Sequence, residues 1–239
     1  MKLIKRIMMN NIEELEKNIN IIFRNKELLE TAITHRSYIN EHRKVKEHNE
    51  RLEFLGDAVL ELIVSDFLFR KFNDRAEGEL TSFRSALVRT DSLAITAKKL
   101  KLGEYLLLSK GEEDSGGREK DFLLANTFEA VLGAIYLDQG YDISKKFVEQ
   151  HLLPKIDDIV EFRLDIDSKT RIQELAQSIH KSTPEYEVIK EEGPDHDKTF
   201  TVVVKVNDKV IGEGVGSSKQ RAEEQAAKVG VEYIENHNK

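Results

Sequence analysis

Glu50, Glu53 and Asp57 in the run His48-Asn49-Glu50-Arg51-Leu52-Glu53-Phe54-Leu55-Gly56-Asp57 recur at three and four residues, so a helix stacks them on one face with Glu61 a turn further on. At an effective dielectric near 20, two carboxylates about 5–6 Å apart repel by roughly 3 kcal/mol, so such a row is solvated, protonated or bound to a cation. An ordinary amphipathic helix, acids outward and Leu52, Leu55, Val59, Leu62 and Ile63 opposite, is the plain alternative. Two details argue against it. Phe54, Leu60 and Val64 sit among or beside the acids, and Gly56 costs a helix about 1 kcal/mol relative to alanine unless something packs closely there. A second run, Asn126-Thr127-Phe128-Glu129-Ala130-Val131-Leu132-Gly133-Ala134, aligns Asn126 and Glu129 with Ala130, Gly133 and Ala134. Small residues on one face let two helices approach, which carries Glu129 toward the first row. The positions four residues after Glu53 and Glu129 are Asp57 and Gly133, so no cation neutralises either acid within its own helix. An oxygen-only set of this kind suits Mg²⁺ or Mn²⁺ rather than zinc, and such a metal lowers the pKa of bound water and holds a phosphate oxygen.

The elements that must position these groups follow from the hydrophobic period. From about Ile12 to Phe162 apolar residues return every three or four positions, Pro is absent until Pro154, and breaks such as Asn73-Asp74-Arg75 and Gly111 to Gly117 are short and polar. This predicts an all-α domain over residues 1–164. The segment Asp157 to Asp167 loses the pattern and is expected to be a charged connector. Residues 165–239 then change period: a helix from Thr170 to Lys181, a strand from Pro184 to Glu191 alternating through Tyr186 and Val188, and a second strand alternating through Phe200, Val202, Val204 and Val206. A hairpin at Asn207-Asp208-Lys209, a third strand from Val210 to Gly214, and a final helix packing Ala222, Ala226, Ala227 and Val229 complete an α-β-β-β-α order.

The 239 residues contain no cysteine, which excludes disulfides and thiolate zinc sites and fits a reducing compartment. The basic and apolar start, Met1 to Met9, is too short for a signal core, and no later run is long enough to span a bilayer, so a cytoplasmic protein without a membrane partner is expected. A net charge of -7 argues against non-specific binding to nucleic acid; a polyanion must meet a local basic patch.

The run Asn49 to Leu60 resembles the signature of the ribonuclease III endonucleases. Thr34-His35-Arg36-Ser37-Tyr38, Glu77-Gly78-Glu79-Leu80, Arg84-Ser85-Ala86-Leu87-Val88 and Phe128 to Asp138 extend the resemblance over nearly the whole chain. It implies a helical nuclease domain that forms a homodimer, with one Mg²⁺-dependent centre (Mn²⁺ substituting) at each end of a valley, cutting both strands of double-stranded RNA to leave 5′-phosphate, 3′-hydroxyl staggered ends in ribosomal RNA precursors and structured messengers. Glu53, Asp57 and Glu129 fall on its metal-binding positions, Glu129 being the one whose loss hurts catalysis most. Glu50 and Glu77 fall on acidic positions lining the cleavage site, and Phe54 and Leu55 on the dimer seam. Asn126 stands where most members carry aspartate. An amide oxygen still ligates Mg²⁺ but adds no full charge and is no base, which leaves a weakened enzyme, or a protein reduced to binding duplexes, as the alternative.

The tail resembles a double-stranded RNA-binding domain. In that family Thr170, Gln173 and Glu174 on the first helix meet 2′-hydroxyls, the loop Gly193-Pro194-Asp195-His196-Asp197-Lys198 enters a minor groove through His196, and Ser217, Ser218, Lys219 and Arg221 at the start of the last helix meet phosphates. Gln220 replaces a residue that is often basic, so contacts must be placed rather than carried by bulk charge. A remoter alternative, a phosphohydrolase of small nucleotides, gives this tail no purpose.

Overall fold

Apolar residues at helical spacing turn the first two thirds of the chain into helices, and the polar breaks become their connections. The computed structural model describes residues 2–194 and 197–237. In order the helices are α1 (Lys2–Ile19), α2 (Lys26–Ala32), α3 (Arg36–Glu41), α4 (Glu50–Lys71), α5 (Glu77–Val88), α6 (Thr90–Lys99), α7 (Leu102–Tyr105), α8 (Lys110–Asp114), α9 (Asp121–Gln139), α10 (Tyr141–His151) and α11 (Lys155–Phe162). These lie in the first of two compact units, Met1–Asp165 and Ile166–Lys239.

Helix α9 is the centre of the first unit. Leu123 to Ala125, Thr127, Phe128 and Ala130 to Ile135 are buried, so it is apolar nearly all round, as a core helix must be. Helix α4 lies against it at a crossing made by two glycines. A Cβ on Gly56 would collide with the carbonyl oxygen of Glu129, and one on Gly133 with that of Leu52, so the two backbones touch where the sequence places small residues. The end of α9 is tied to the start of α2 by Asp138, whose carboxylate accepts from the backbone N–H of Arg24 (2.9 Å) and Asn25 (2.8 Å).

Three sequence expectations are corrected here. The segment expected to be a charged connector is helical through Phe162: Ile156 and Ile159, one turn apart, are buried while the acids between them face water. Leu62, assigned to the buried stripe of α4, is 58% exposed. The polar stretch Gly111 to Gly117 is not only a break, since α8 occupies part of it, with the Ser109 hydroxyl capping Glu112 N–H.

The second unit holds α12 (Ser168–Leu175), β1 (Glu185–Glu192), β2 (Thr199–Val206), β3 (Lys209–Gly216) and α13 (Lys219–His237). Asp167 caps α12 by accepting from Lys169 N–H and Thr170 N–H, and the helix continues as a π turn, Ala176–His180. The sheet is antiparallel in the order β1-β2-β3, and Asn207 and Asp208, both at positive φ (51° and 63°), form the β2–β3 turn. Val202, Val204 and Val206 pack on Ala222, Ala226 and Ala227 of α13. Val229, expected on that packing face, is exposed, and Gly230 takes the place against Ile172 and Val204. Val188 is also exposed, because β1 is an edge strand with a register shift between Val188 and Lys190.

Candidate active site

The first turns of α4 are anchored before the acids begin. Asn49 is buried, its N–H donating to Thr34 O (2.9 Å) and its carbonyl accepting from Glu53 N–H (2.8 Å). Thr34 is itself held by a bridge in which Leu107 N–H donates to Ile33 O and His35 N–H to Leu107 O. Glu50, Glu53, Asp57 and Glu61 then follow along α4, and the glycine crossing carries Glu129 and Asn126 of α9 to them.

The electrostatics show that these groups feel one another. Burial pushes the Glu129 carboxyl up from 4.5 to about 7, aided by the charges of Asp57, Glu53 and Glu61. Glu53 is also raised, first by burial and then by Glu50 and Asp57, while a hydrogen bond from the Asn126 amide opposes the rise. Both ends of the row have a guanidinium partner: Arg36 Nη1 lies 3.6 Å from the Glu50 carboxylate, with the His48 ring Nδ1 3.8 Å away, and Arg84 Nε of α5 lies 3.0 Å from Glu61. Among the described residues no Lys, Arg or His forms an ion pair with the middle members, Glu53, Asp57 and Glu129. Nor, among the described residues, do three or more acidic or imidazole side chains enclose a ready-made cage. The donors are oxygens only, and Mg²⁺ commonly uses one or two carboxylates completed by water and substrate phosphate, so this open arrangement fits a hard divalent ion.

Glu77 is placed elsewhere. It accepts from the Thr81 hydroxyl (3.0 Å) and lines a groove of about 460 Å³ with Leu62, Ser65, Phe69 and Arg84. Arg84 joins that groove to the row through Glu61, but no described contact joins Glu77 to it. The cations at the row's ends were not singled out in the sequence as partners of Glu50 and Glu61, because they come from distant elements, although Arg36 and Arg84 lie in runs with recognisable spacing. Phe54 is 80% exposed beside a cavity of about 820 Å³ whose lining includes Leu28, Leu52, Leu55 and Leu137.

In the second unit Ser217, Ser218, Lys219 and Arg221 gather at the start of α13. Ser218 Oγ accepts from Arg221 N–H, Ser217 Oγ from the Arg221 guanidinium (3.0 Å), and the Lys219 ammonium stands 5.7 Å from the Phe200 ring centroid. Gln173 is exposed on α12, Glu174 lies 3.8 Å from Arg171, and Thr170 donates its hydroxyl to Asp167 (2.6 Å). His196 lies outside the described residues.

Residues 25–156 match the family described as Ribonuclease-III-like, and residues 168–234 match the double-stranded RNA binding motif. The chain is 51% identical over 222 residues to Ribonuclease 3 of Enterococcus faecalis, covering 92% of this chain and 96% of that protein. It is 50% identical over 223 residues to Ribonuclease 3 of Geobacillus kaustophilus, covering 93% and 90%. Among solved structures, the nuclease domain of ribonuclease III from Campylobacter jejuni, in a study of flexibility in a region involved in dimer formation, aligns with a TM-score of 0.55 at 45% identity, covering 58% of this chain and 94% of that one. A signature helix crossed by a core helix that carries Glu129, followed by an RNA-binding fold and matched nearly end to end by such relatives, places this chain in the ribonuclease III family.

Proposed function

We propose that this chain is a Mg²⁺-dependent endoribonuclease that hydrolyses double-stranded RNA as a homodimer. The observation that carries the reading is the unpaired middle of the acidic row, Glu53, Asp57 and Glu129, assembled at the Gly56–Gly133 crossing in a chain of this family. Mg²⁺, or Mn²⁺ in its place, held there supplies a Lewis acid that lowers the pKa of water and neutralises a phosphate oxygen. Glu53, Asp57 and Glu129 are the carboxylate donors. Asn126 favours the charged form of Glu53 through its amide N–H, against the rise caused by burial and Glu50, and offers its carbonyl oxygen as a further donor. Arg36 and His48 steady Glu50 at the edge of the site. Glu77, on its separate groove, is assigned to contact with substrate rather than to the metal.

The second unit supplies duplex affinity through Thr170, Gln173, Glu174 and His196 at the minor groove and Ser217, Ser218, Lys219 and Arg221 at phosphates. Two copies joined at Phe54 and Leu55 place two centres on opposite strands, giving staggered ends with 5′-phosphates and 3′-hydroxyls. Ribosomal RNA precursors and structured messengers in the cytoplasm are the proposed targets; among the described residues no helix is long and apolar enough to cross a membrane. Nothing supports the alternative of a chain reduced to RNA binding by Asn126. Incubating the purified protein with long duplex RNA, with and without Mg²⁺ and beside single-stranded RNA and DNA controls, tests the reading: cuts confined to duplex RNA with metal are expected, and binding without cuts sinks it.

A further inference from the structure

Between α3 and α4 the chain runs His42-Arg43-Lys44-Val45-Lys46-Glu47-His48, three full cations against one carboxylate in a protein whose net charge is -7. Both ends of this loop are pinned. The His42 ring stacks on Tyr38 at 3.8 Å, Val45 N–H donates to His42 O (2.8 Å) in a tight turn, and the far end is fixed by the Asn49 to Thr34 hydrogen bond. Arg43, Lys44 and Lys46 are exposed, and among the described residues none of them has an ion-pair or hydrogen-bond partner. Several other cations of the unit, Arg70, Arg75, Arg84, Lys98, Arg118 and Lys120, each sit on a carboxylate. Glu41, the nearest preceding acid, is committed to the Lys110 N–H.

A run of charge is usually a solvated face. This one differs in being anchored, unneutralised and directly beside the acidic row, since Lys46 and Glu50 line the same cavity. An RNA strand laid over Glu50, Glu53 and Asp57 meets repulsion from those carboxylates wherever metal does not screen them, so cations flanking the row are needed to hold it. From this juxtaposition we infer that Arg43 and Lys44 of this loop form a phosphate-binding rail that grips the RNA backbone beside each cut and acts through substrate positioning. The inference rests on the nuclease reading above and adds an RNA-gripping surface to it.

The test uses the full chain, an RNA duplex of about 30 base pairs, and the variant Arg43→Ala/Lys44→Ala, which leaves the cavity and the acidic row untouched. Binding without divalent metal is measured across salt concentrations, and cleavage with Mg²⁺ is measured as KM and kcat. The expected result is a salt slope shallower by about two, one for each phosphate that the variant no longer neutralises, with KM raised at least tenfold and kcat within twofold of the parent. Arg43→Lys/Lys44→Arg keeps both charges and is expected to retain slope and KM. If that swap falls as far as the alanine pair, the loop's conformation rather than its charge is responsible and the rail is wrong. An unchanged slope and KM in the alanine pair, with the parent cutting duplex RNA normally, also overturns the rail while leaving the nuclease reading intact. A parent that does not cut duplex RNA removes both.

Discussion

At the scale of single residues, Glu129 sets stability and catalysis against each other. Its folded pKa of about 7 lies above its ordinary 4.5 because burial and three neighbouring acids disfavour the charged form. The stabilising contribution of the protonated form is therefore complete below about pH 4.5 and is lost as pH rises through about 7. A shift of this size corresponds to about 3 kcal/mol, and partial exposure to solvent reduces the expectation to about 1–2 kcal/mol. Glu129→Gln is accordingly expected to raise the melting temperature of the metal-free protein at pH 8, to flatten its rise in stability between pH 8 and pH 5, and to abolish cleavage while duplex binding persists. Undiminished cleavage by this variant removes Glu129 from the metal set. Asn126→Asp is expected to act in the opposite sense. Exchanging a donor to Glu53 for another carboxylate adds repulsion, so the metal-free protein loses about 1 kcal/mol, while cleavage at limiting Mg²⁺ gains. A titration of rate against Mg²⁺ for both proteins checks this, and coincident curves show that the amide already does the aspartate's work.

At the scale of elements, the α4–α9 crossing decides whether the acids meet at all. Gly133→Ala gains about 1 kcal/mol of helix propensity but drives a methyl into the Leu52 carbonyl, and overpacking of this kind costs about 1–3 kcal/mol or more. Urea denaturation is expected to show a net loss, and cleavage at fixed Mg²⁺ is expected to fall further than the reduced stability accounts for, since α9 must lift Glu129 away from Glu53. This crossing was legible in the sequence because a glycine inside a strongly helical run needs a close neighbour, and the second run offered a matching small face. The Asn207-Asp208 turn was legible for a similar reason, in that both residues tolerate positive φ. Other elements were not. Helix α11 carries two core residues among a crowd of acids, so its buried side vanished into its charge. Leu62 matched the apolar period of α4, but a period does not say which apolar residues are covered. The partners of Glu50 and Glu61 come from α3, the loop before α4, and α5, and only the folded chain shows that these groups close the row's ends and leave its middle bare.

At the scale of the whole molecule, the strongest demand is for a second copy. Phe54 is 80% exposed, one turn from Glu50 and adjacent to Glu53, and an apolar-floored cavity of about 820 Å³ opens beside it. A two-fold axis gives every contact twice, so a Phe54 seated in its partner's cavity would be matched by the reciprocal one. Burying one phenylalanine side chain contributes about 1.5–3 kcal/mol, so losing two weakens the dimer by about 3–6 kcal/mol, or roughly 10²- to 10⁴-fold in Kd. Phe54→Ala is therefore expected to sediment as a monomer at micromolar concentration, and Phe54→Asp, which adds a charge to an apolar seat, is expected to do so across a wider range. If, as proposed, each centre acts on one strand, the monomer is expected to lose staggered double cuts while the second unit still binds duplex RNA. A Phe54→Asp protein that remains dimeric and continues to cut both strands places the seam on another face of the nuclease unit.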